Sequence, residues 1–322
     1  MSASPSGVRH GSTPFRLICD FDGTLTVSST LSILSSIGYT RNPDARSWTE
    51  ITSAYSRDLR LHDETYTQPR VSLRQELEYQ DSLRSVERAS IERIERAGIF
   101  RNVTVSDLAR GAATAVQQGK LRMRPGWDRL VKMVWDAGGN VQVVSVNWSR
   151  VFIRAAIHTA FPSVASRGQK ADLVDVVAND ISADGSGRIT RHFGGPDGGI
   201  WTAEDKACLV FQAAPHRLSD SRTLYVGDSV TDLGCLAAPG VVGIVVRNEP
   251  VLSSEQRELR ATLERLDVIQ VKHVQDFDAH EWSEAGSPAT GSLRTLYWAR
   301  DFEEICQSPV LSSSINSSTP YN

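Results

Sequence analysis

Hydrophobic and polar positions change rhythm several times along this 322-residue chain. Residues 15–19 (F-R-L-I-C) form a short, mostly apolar run that stops abruptly at Asp20, the pattern of a buried strand. From about 27 to 120 the rhythm becomes helical. Leu83, Val86, Ser90 and Ile94 recur at spacings of three and four, with Arg and Glu on the other faces. Few turn signals interrupt this stretch and no strand-like run stands out. It predicts an all-helical insert, long enough for a small domain of its own.

After Pro125-Gly126 short apolar runs alternate with amphipathic ones. Helices are expected over 127–137, 149–160, 203–214 and 254–265, and from about 230. Strands are expected over 141–144, 174–177, 223–226, 241–246 and 268–271, with a hairpin over 181–193 around Asp184-Gly185. Strands alternating with helices imply an α/β fold with a parallel, doubly wound sheet. The Ser-rich stretch 312–322 predicts a disordered tail.

Composition narrows the class. With 40% hydrophobic and 23% charged residues the chain is near the globular average, which excludes disorder of the whole. Its 35 Lys and Arg are outweighed by 38 Asp and Glu, for a net charge of −3, so no nucleic-acid partner is expected. No apolar run approaches the ~20 residues of a membrane span, and no membrane association is expected. Cys19, Cys208, Cys235 and Cys306 are scattered without a C-x-x-C pair, which argues against a zinc site and a disulfide scaffold. Residues 1–14 hold no apolar core of a secretory signal, and the expected location is cytoplasmic.

Ligands of open parallel sheets bind beyond the carboxyl ends of the strands. Three predicted strands end in polar or acidic residues: Asp20-Phe-Asp22-Gly-Thr24, Ser145-Val-Asn147 and Gly227-Asp228-Ser-Val-Thr231-Asp232. Alternation along an extended segment points Asp20 and Asp22 the same way. An ionised Asp is a nucleophile and a hard-oxygen ligand, while a second carboxylate beside it is pushed towards a proton donor's pKa. A turn after a strand would also account for D-x-D-G alone, and Asp228 and Asp232 could simply cap a helix. Acids at the ends of two strands of one sheet go beyond capping: clustered carboxylates repel unless a cation lies between them, and Mg²⁺ is the usual oxygen-ligated ion at a phosphate site.

Ser145 and the following helix start make an anion site. Asn147 is a candidate for the same site or a cap of that helix. Lys206 lies in the first turn of a helix begun by the capping box Thr202 to Asp205, where a cation opposes the helix dipole. A phosphoryl oxygen or a nucleophilic carboxylate would account for it there. Trp148 is expected to pack, His158 and His192 show no ligand spacing, and Arg84, Arg88, Arg93 and Arg96 are expected on a solvated helix face. The glycine-rich stretch 194–199 lacks the order of a P-loop and is expected to be a loop.

Taken in order, Asp20-Phe-Asp22-Gly-Thr24, Ser145, Lys206 and Gly227-Asp228-Ser-x-Thr231-Asp232 resemble the four motifs of the haloacid dehalogenase superfamily. The helical insert resembles the C1 cap of its phosphoserine-phosphatase-like branch, and D-F-D-G-T-L-T with G-D-S-V-T-D is similar to the methionine-salvage phosphatases of that branch. The resemblance implies a Rossmann-like core over 14–26 and 121–280, a cap over 27–120 and a C-terminal extension over 281–322 with no counterpart. It implies a Mg²⁺-dependent phosphatase of a small soluble phosphomonoester, with Asp20 as nucleophile and Asp22 as general acid and base. Ser145 and Lys206, with Asn147 and Thr24, would bind phosphate, Thr24 also orienting the first loop. Asp20, the backbone carbonyl of Asp22 and Asp228 would hold the metal, and Asp232 would support the site. The same motifs would serve a phosphotransferase or mutase, and a non-catalytic phosphometabolite-binding protein would keep the fold. Relatives usually carry S-G-G where this chain has Ser145-Val-Asn147, which narrows the approach to the phosphate.

Overall fold

A computed structural model describes residues 15–165, 174–190, 199–212, 222–266, 269–278, 280 and 294–315. Strand β1 (Phe15–Cys19) lies inside a seven-stranded sheet, flanked by β2 (Asn140–Val144) and β6 (Arg222–Gly227). Beyond β2 lies β3 (Val174–Val177), and beyond β6 lies β7 (Val241–Val246). All pairings in this sheet are parallel, with Leu17 opposite Val141 on one side and Leu224 on the other. The chain runs outward from β1 in one direction through β2 and β3 and in the other from β6 through β7. The switch point therefore falls at β1 and β6, where an open sheet offers its crevice.

Both faces of the sheet are covered, which is why its strands are continuously apolar rather than alternating. Leu17 and Cys19 point into one core layer, with Val143 and Val226, while Ile18 points into the other, with Tyr225 and Val245. Helices α6 (Trp127–Asp136) and α7 (Arg150–Ala160) pack on the first face, and α9 (Ala203–Gln212) and α11 (Ser254–Arg265) on the second. The hairpin pairs β4 (Asp180–Ile181) with β5 (Ile189–Thr190), antiparallel; the rest of its expected span, with His192, falls outside the described residues, as does most of 194–199.

Between β1 and β2 the chain forms α1 (Leu31–Arg41), α2 (Trp48–Thr65), α3 (Leu73–Ser82), α4 (Arg84–Ala97) and α5 (Val105–Gln117). The helical reading of 27–120 thus agrees with the elements observed. Its expected independence does not: Leu34, Ile94, Leu108 and Ala112 share one continuous core with Leu17 and Val143 of the sheet. Amphipathic helices bury their apolar stripe against the nearest apolar surface, here the sheet layer itself.

A further expectation is corrected. The described residues from 294 on are not an appendage: β9 (Arg294–Ala299) enters the sheet between β7 and β8 (Ile269–His273). Tyr297 and Ala299 are buried and Trp298 covers Arg247, its ring centroid 3.7 Å from the guanidinium carbon. The helix Pro309–Ile315 then buries Val310 and Leu311, so the described part of the expected tail is folded, while 316–322 and Trp282 lie outside the described residues. The helix expected from about 230 is present but short, a 3₁₀ turn over Val230–Asp232 continued by an α-helical turn over Leu233–Leu236. None of the described helices is long and apolar enough to cross a membrane.

Candidate active site

The ends of β1, β2 and β6 bring Asp20, Asp22, Ser145, Asp228 and Asp232 together, and the first turn of α9 adds Lys206. Lys206 is fully buried, its Nζ 2.9 Å from Asp20 Oδ1 and 2.6 Å from Asp232 Oδ1. Burial by itself would lower its pKa, but Asp20 and Asp232 hold it protonated and raise it. This is the reason for a cation at an unfavourable helix end. The helix start is formed as expected, with Asp205 accepting from the backbone N–H of Thr202 at 3.1 Å.

Asp232 is saturated. Its Oδ1 accepts from Lys206 and, at 2.7 Å, from the Tyr225 hydroxyl, and its Oδ2 accepts from the backbone N–H groups of Asp228 and Ser229, both at 3.1 Å. Despite its burial these bonds hold its pKa below the ordinary value. Asp20 and Asp228 have no such company. Burial, aided by the neighbouring carboxylates, raises both, against the pull of Lys206 on Asp20 and of Thr24 and Arg124 on Asp228.

Asp20, Asp228 and Asp232 each offer a carboxylate oxygen, and these oxygens lie within 4.8 Å of one another. Since Asp232 is fully engaged, Asp20 and Asp228 are the carboxylates left to hold a cation. An all-oxygen set with excess negative charge suits a hard divalent ion such as Mg²⁺. The turn that makes this possible needs glycine. Gly23 has φ +74°, and a Cβ there would come within 2.2 Å of Asp228 Oδ2.

Asp22 is set differently. Its Oδ1 accepts from the backbone N–H of Thr30 and its Oδ2 accepts from Asn147 Nδ2 at 2.7 Å. Burial raises its pKa, and these bonds only partly offset that. Asn147 also donates to Thr30 Oγ1 at 3.2 Å and accepts at Oδ1 from the backbone N–H of Ser149. Both amide hydrogens are thereby used. The structure thus places Asn147 against Asp22 and Thr30. The Thr24 hydroxyl donates to Asp228 Oδ1 at 2.9 Å and so orients that carboxylate. Ser145 is buried and accepts from the backbone N–H of Asn147 at 3.2 Å. It keeps its own proton to donate.

Three groups escaped the sequence reading. Arg124 is buried and donates to the backbone carbonyls of Gly23 (2.8 Å) and Thr24 (3.0 Å), to Asn248 Oδ1 and to Arg300 O. It clamps the loop after β1. Tyr225 supports Asp232 from within an apolar strand. Arg84, expected on a solvated face, grips Asp205 with both Nη atoms, at 3.0 and 2.9 Å. It ties α4 to the start of the helix that carries Lys206. The only signal for any of them is a polar residue inside or beside an apolar run, which carries no partner information.

A cavity of about 380 Å³ opens over these residues, with Asp20, Asp22 and Asp228 on its surface. Helices α2 and α4 of the insert and Val146 and Trp148 after β2 supply much of the remaining wall. Trp148 packs as expected, edge-on to Trp48 and Phe100.

The model of the haloacid dehalogenase-like hydrolase family matches residues 17–237, a span that holds all four motifs. This chain belongs to that family. The hydrolase is 26% identical over 277 residues to a CTO1 family protein of Schizosaccharomyces pombe, covering 81% of this chain and 89% of that one. Among solved structures it is similar to a substrate-bound phosphoserine phosphatase, with a TM-score of 0.41 and 16% identity over 80% of this chain and 100% of that one. It is also similar to cytosolic 5'-nucleotidase IIIB bound to cytidine, with a TM-score of 0.47 and 13% identity over 94% of this chain and 85% of that one.

Proposed function

We propose that this hydrolase is a Mg²⁺-dependent phosphatase of a small soluble phosphomonoester, acting through an aspartyl-phosphate on Asp20. The observation that carries this reading is the meeting of three strand ends. Asp20, held against buried Lys206, faces the cavity beside Asp228, and Asp22 lies on the same cavity with hydrogen bonds to both carboxylate oxygens.

A carboxylate oxygen of Asp20 attacks phosphorus, and the bond to the leaving oxygen breaks. Asp22, whose carboxyl is disposed to stay protonated, gives its proton to that oxygen. A water then attacks the aspartyl-phosphate while Asp22 takes its proton, which returns the Asp20 carboxylate and releases inorganic phosphate. Lys206 and Ser145 hold phosphoryl oxygens, and Asp232 holds Lys206 in place. Mg²⁺, held by Asp20, the Asp22 backbone carbonyl and Asp228, would neutralise charge on the phosphoryl group.

The test is phosphate release from p-nitrophenyl phosphate in chelator and again after Mg²⁺ is restored. Turnover is expected to vanish with chelator and return with the ion. Full turnover in chelator would overturn the metal-dependent reading.

Asn147→Ala provides a separate check. It removes a bond that lowers the Asp22 pKa, so the protonated acid persists to higher pH. The alkaline limb of the kcat profile is expected to move upward, with kcat reduced by about tenfold. An unmoved limb would separate Asn147 from the acid.

A further inference from the structure

The cavity over Asp20 and Asp22 has a chemically uneven wall. Trp48 and Ile51 from α2, Ile91 and Ile94 from α4, and Trp148 and Trp201 make most of it apolar. Trp48 and Trp148 meet edge to face with centroids 6.0 Å apart, a rigid aromatic flank.

Into this apolar wall are set Tyr55 of α2 and Glu87 of α4. The Tyr55 hydroxyl donates to Glu87 Oε1 at 2.7 Å. Among the described residues, Tyr55 is the side chain hydrogen-bonded to the Glu87 carboxylate. A carboxylate in such a setting loses hydration that one hydrogen bond does not restore, and burial raises its pKa against the lowering effect of Tyr55. Two exposed carboxylates of α11, Glu255 and Glu258, border the same cavity. Among the described residues lining it there is no Lys, Arg or His. No cation described on this wall would pair with a carboxylate on the substrate, whereas Glu87 is an acidic acceptor set in it.

We propose that the cavity selects phosphomonoesters whose organic part is largely apolar, ends in a hydrogen-bond donor (an ammonium above all) and carries no carboxylate. This rests on the phosphatase reading and adds the substrate class to it. The phosphoryl group sits at Asp20, the apolar body lies along the tryptophan flank, and the donor completes Glu87. An ammonium also gains from the negative charge of Glu255 and Glu258 at short range, while a carboxylate would be repelled by all three. A strut for Tyr55 would need Glu87 too, but a strut has no effect on the ratio between substrates.

Two matched pairs test this: phosphotyramine against phosphotyrosine, and phosphoethanolamine against phosphoserine. Each pair differs by one carboxylate. In both, the ester lacking the carboxylate is expected to have the higher kcat/KM by about tenfold or more, and phosphotyramine is expected to be the best of the four. Phosphotyramine is also expected to exceed 4-ethylphenyl phosphate, and Glu87→Gln is expected to abolish that advantage while its thermal midpoint shows that it folds. A carboxylate-bearing ester as the best substrate, or an order unchanged in Glu87→Gln, would overturn the proposal. The same series, measured as binding to Asp20→Asn by calorimetry, separates the two readings. An intact order of affinities without any turnover in the wild type would overturn the phosphatase and leave the cavity's selectivity standing.

Discussion

Asp20→Asn is expected to reduce phosphate release from p-nitrophenyl phosphate by about 10⁴-fold or more, the scale on which loss of a nucleophile acts. The same variant is expected to be more stable than the wild type in chelator. Asp20 is buried beside two other carboxylates, and burial raises its pKa above the unfolded value. The folded state therefore binds more protons than the unfolded state between the ordinary carboxylate range and about pH 7, so ionising Asp20 costs stability as pH rises through that acid-to-neutral range. Asparagine has no charge to bury. Thermal midpoints across pH should show a shallower decline in the variant as pH rises towards about 7. An active Asp20→Asn, or one less stable at every pH, would contradict this account of the residue.

Lys206→Met carries the second large effect, and here activity and stability fall together. Methionine fills similar volume but leaves Asp20 and Asp232 buried around no cation. Removing one member of a buried ion pair costs about 3–5 kcal/mol, since the remaining charge keeps its desolvation penalty. A fall of that size in unfolding free energy is expected from urea titration, together with a loss of turnover of about 10²–10³-fold. The contrast between the two variants is diagnostic. Asp20 gives up stability for chemistry, whereas Lys206 serves both. Equal stability of Lys206→Met and wild type would mean that Asp20 and Asp232 are protonated in the folded chain.

The acidic ends of β1 and β6, the serine after β2 and the misplaced lysine of α9 were all legible in the sequence. A strand buried on both faces must be apolar, so the first polar residue after it marks the crevice edge. Helical periodicity likewise identified α4 and the insert as a whole. What periodicity does not carry is the partner. Thr24 and Asp228 lie 204 positions apart, and only the parallel register of β1 and β6 sets one against the other.

The same limit explains each correction. The place of Asn147 in its motif does not give its rotamer; Asp22 and Thr30, both fixed by the fold, decide where the amide goes. Residues after 280 looked like an appendage because a short apolar run can end anywhere, and it was the space between β7 and β8 that received Arg294–Ala299. Arg124 and Tyr225 carry no motif at all. The sequence alone determined the alternation of strands and helices as far as β8 and the chemistry at the strand ends, because both follow from local spacing and burial. The tertiary structure alone decided which carboxylate is saturated, which is left for a cation, and how Glu87 comes to face a cavity, because those depend on distances between segments that no spacing encodes.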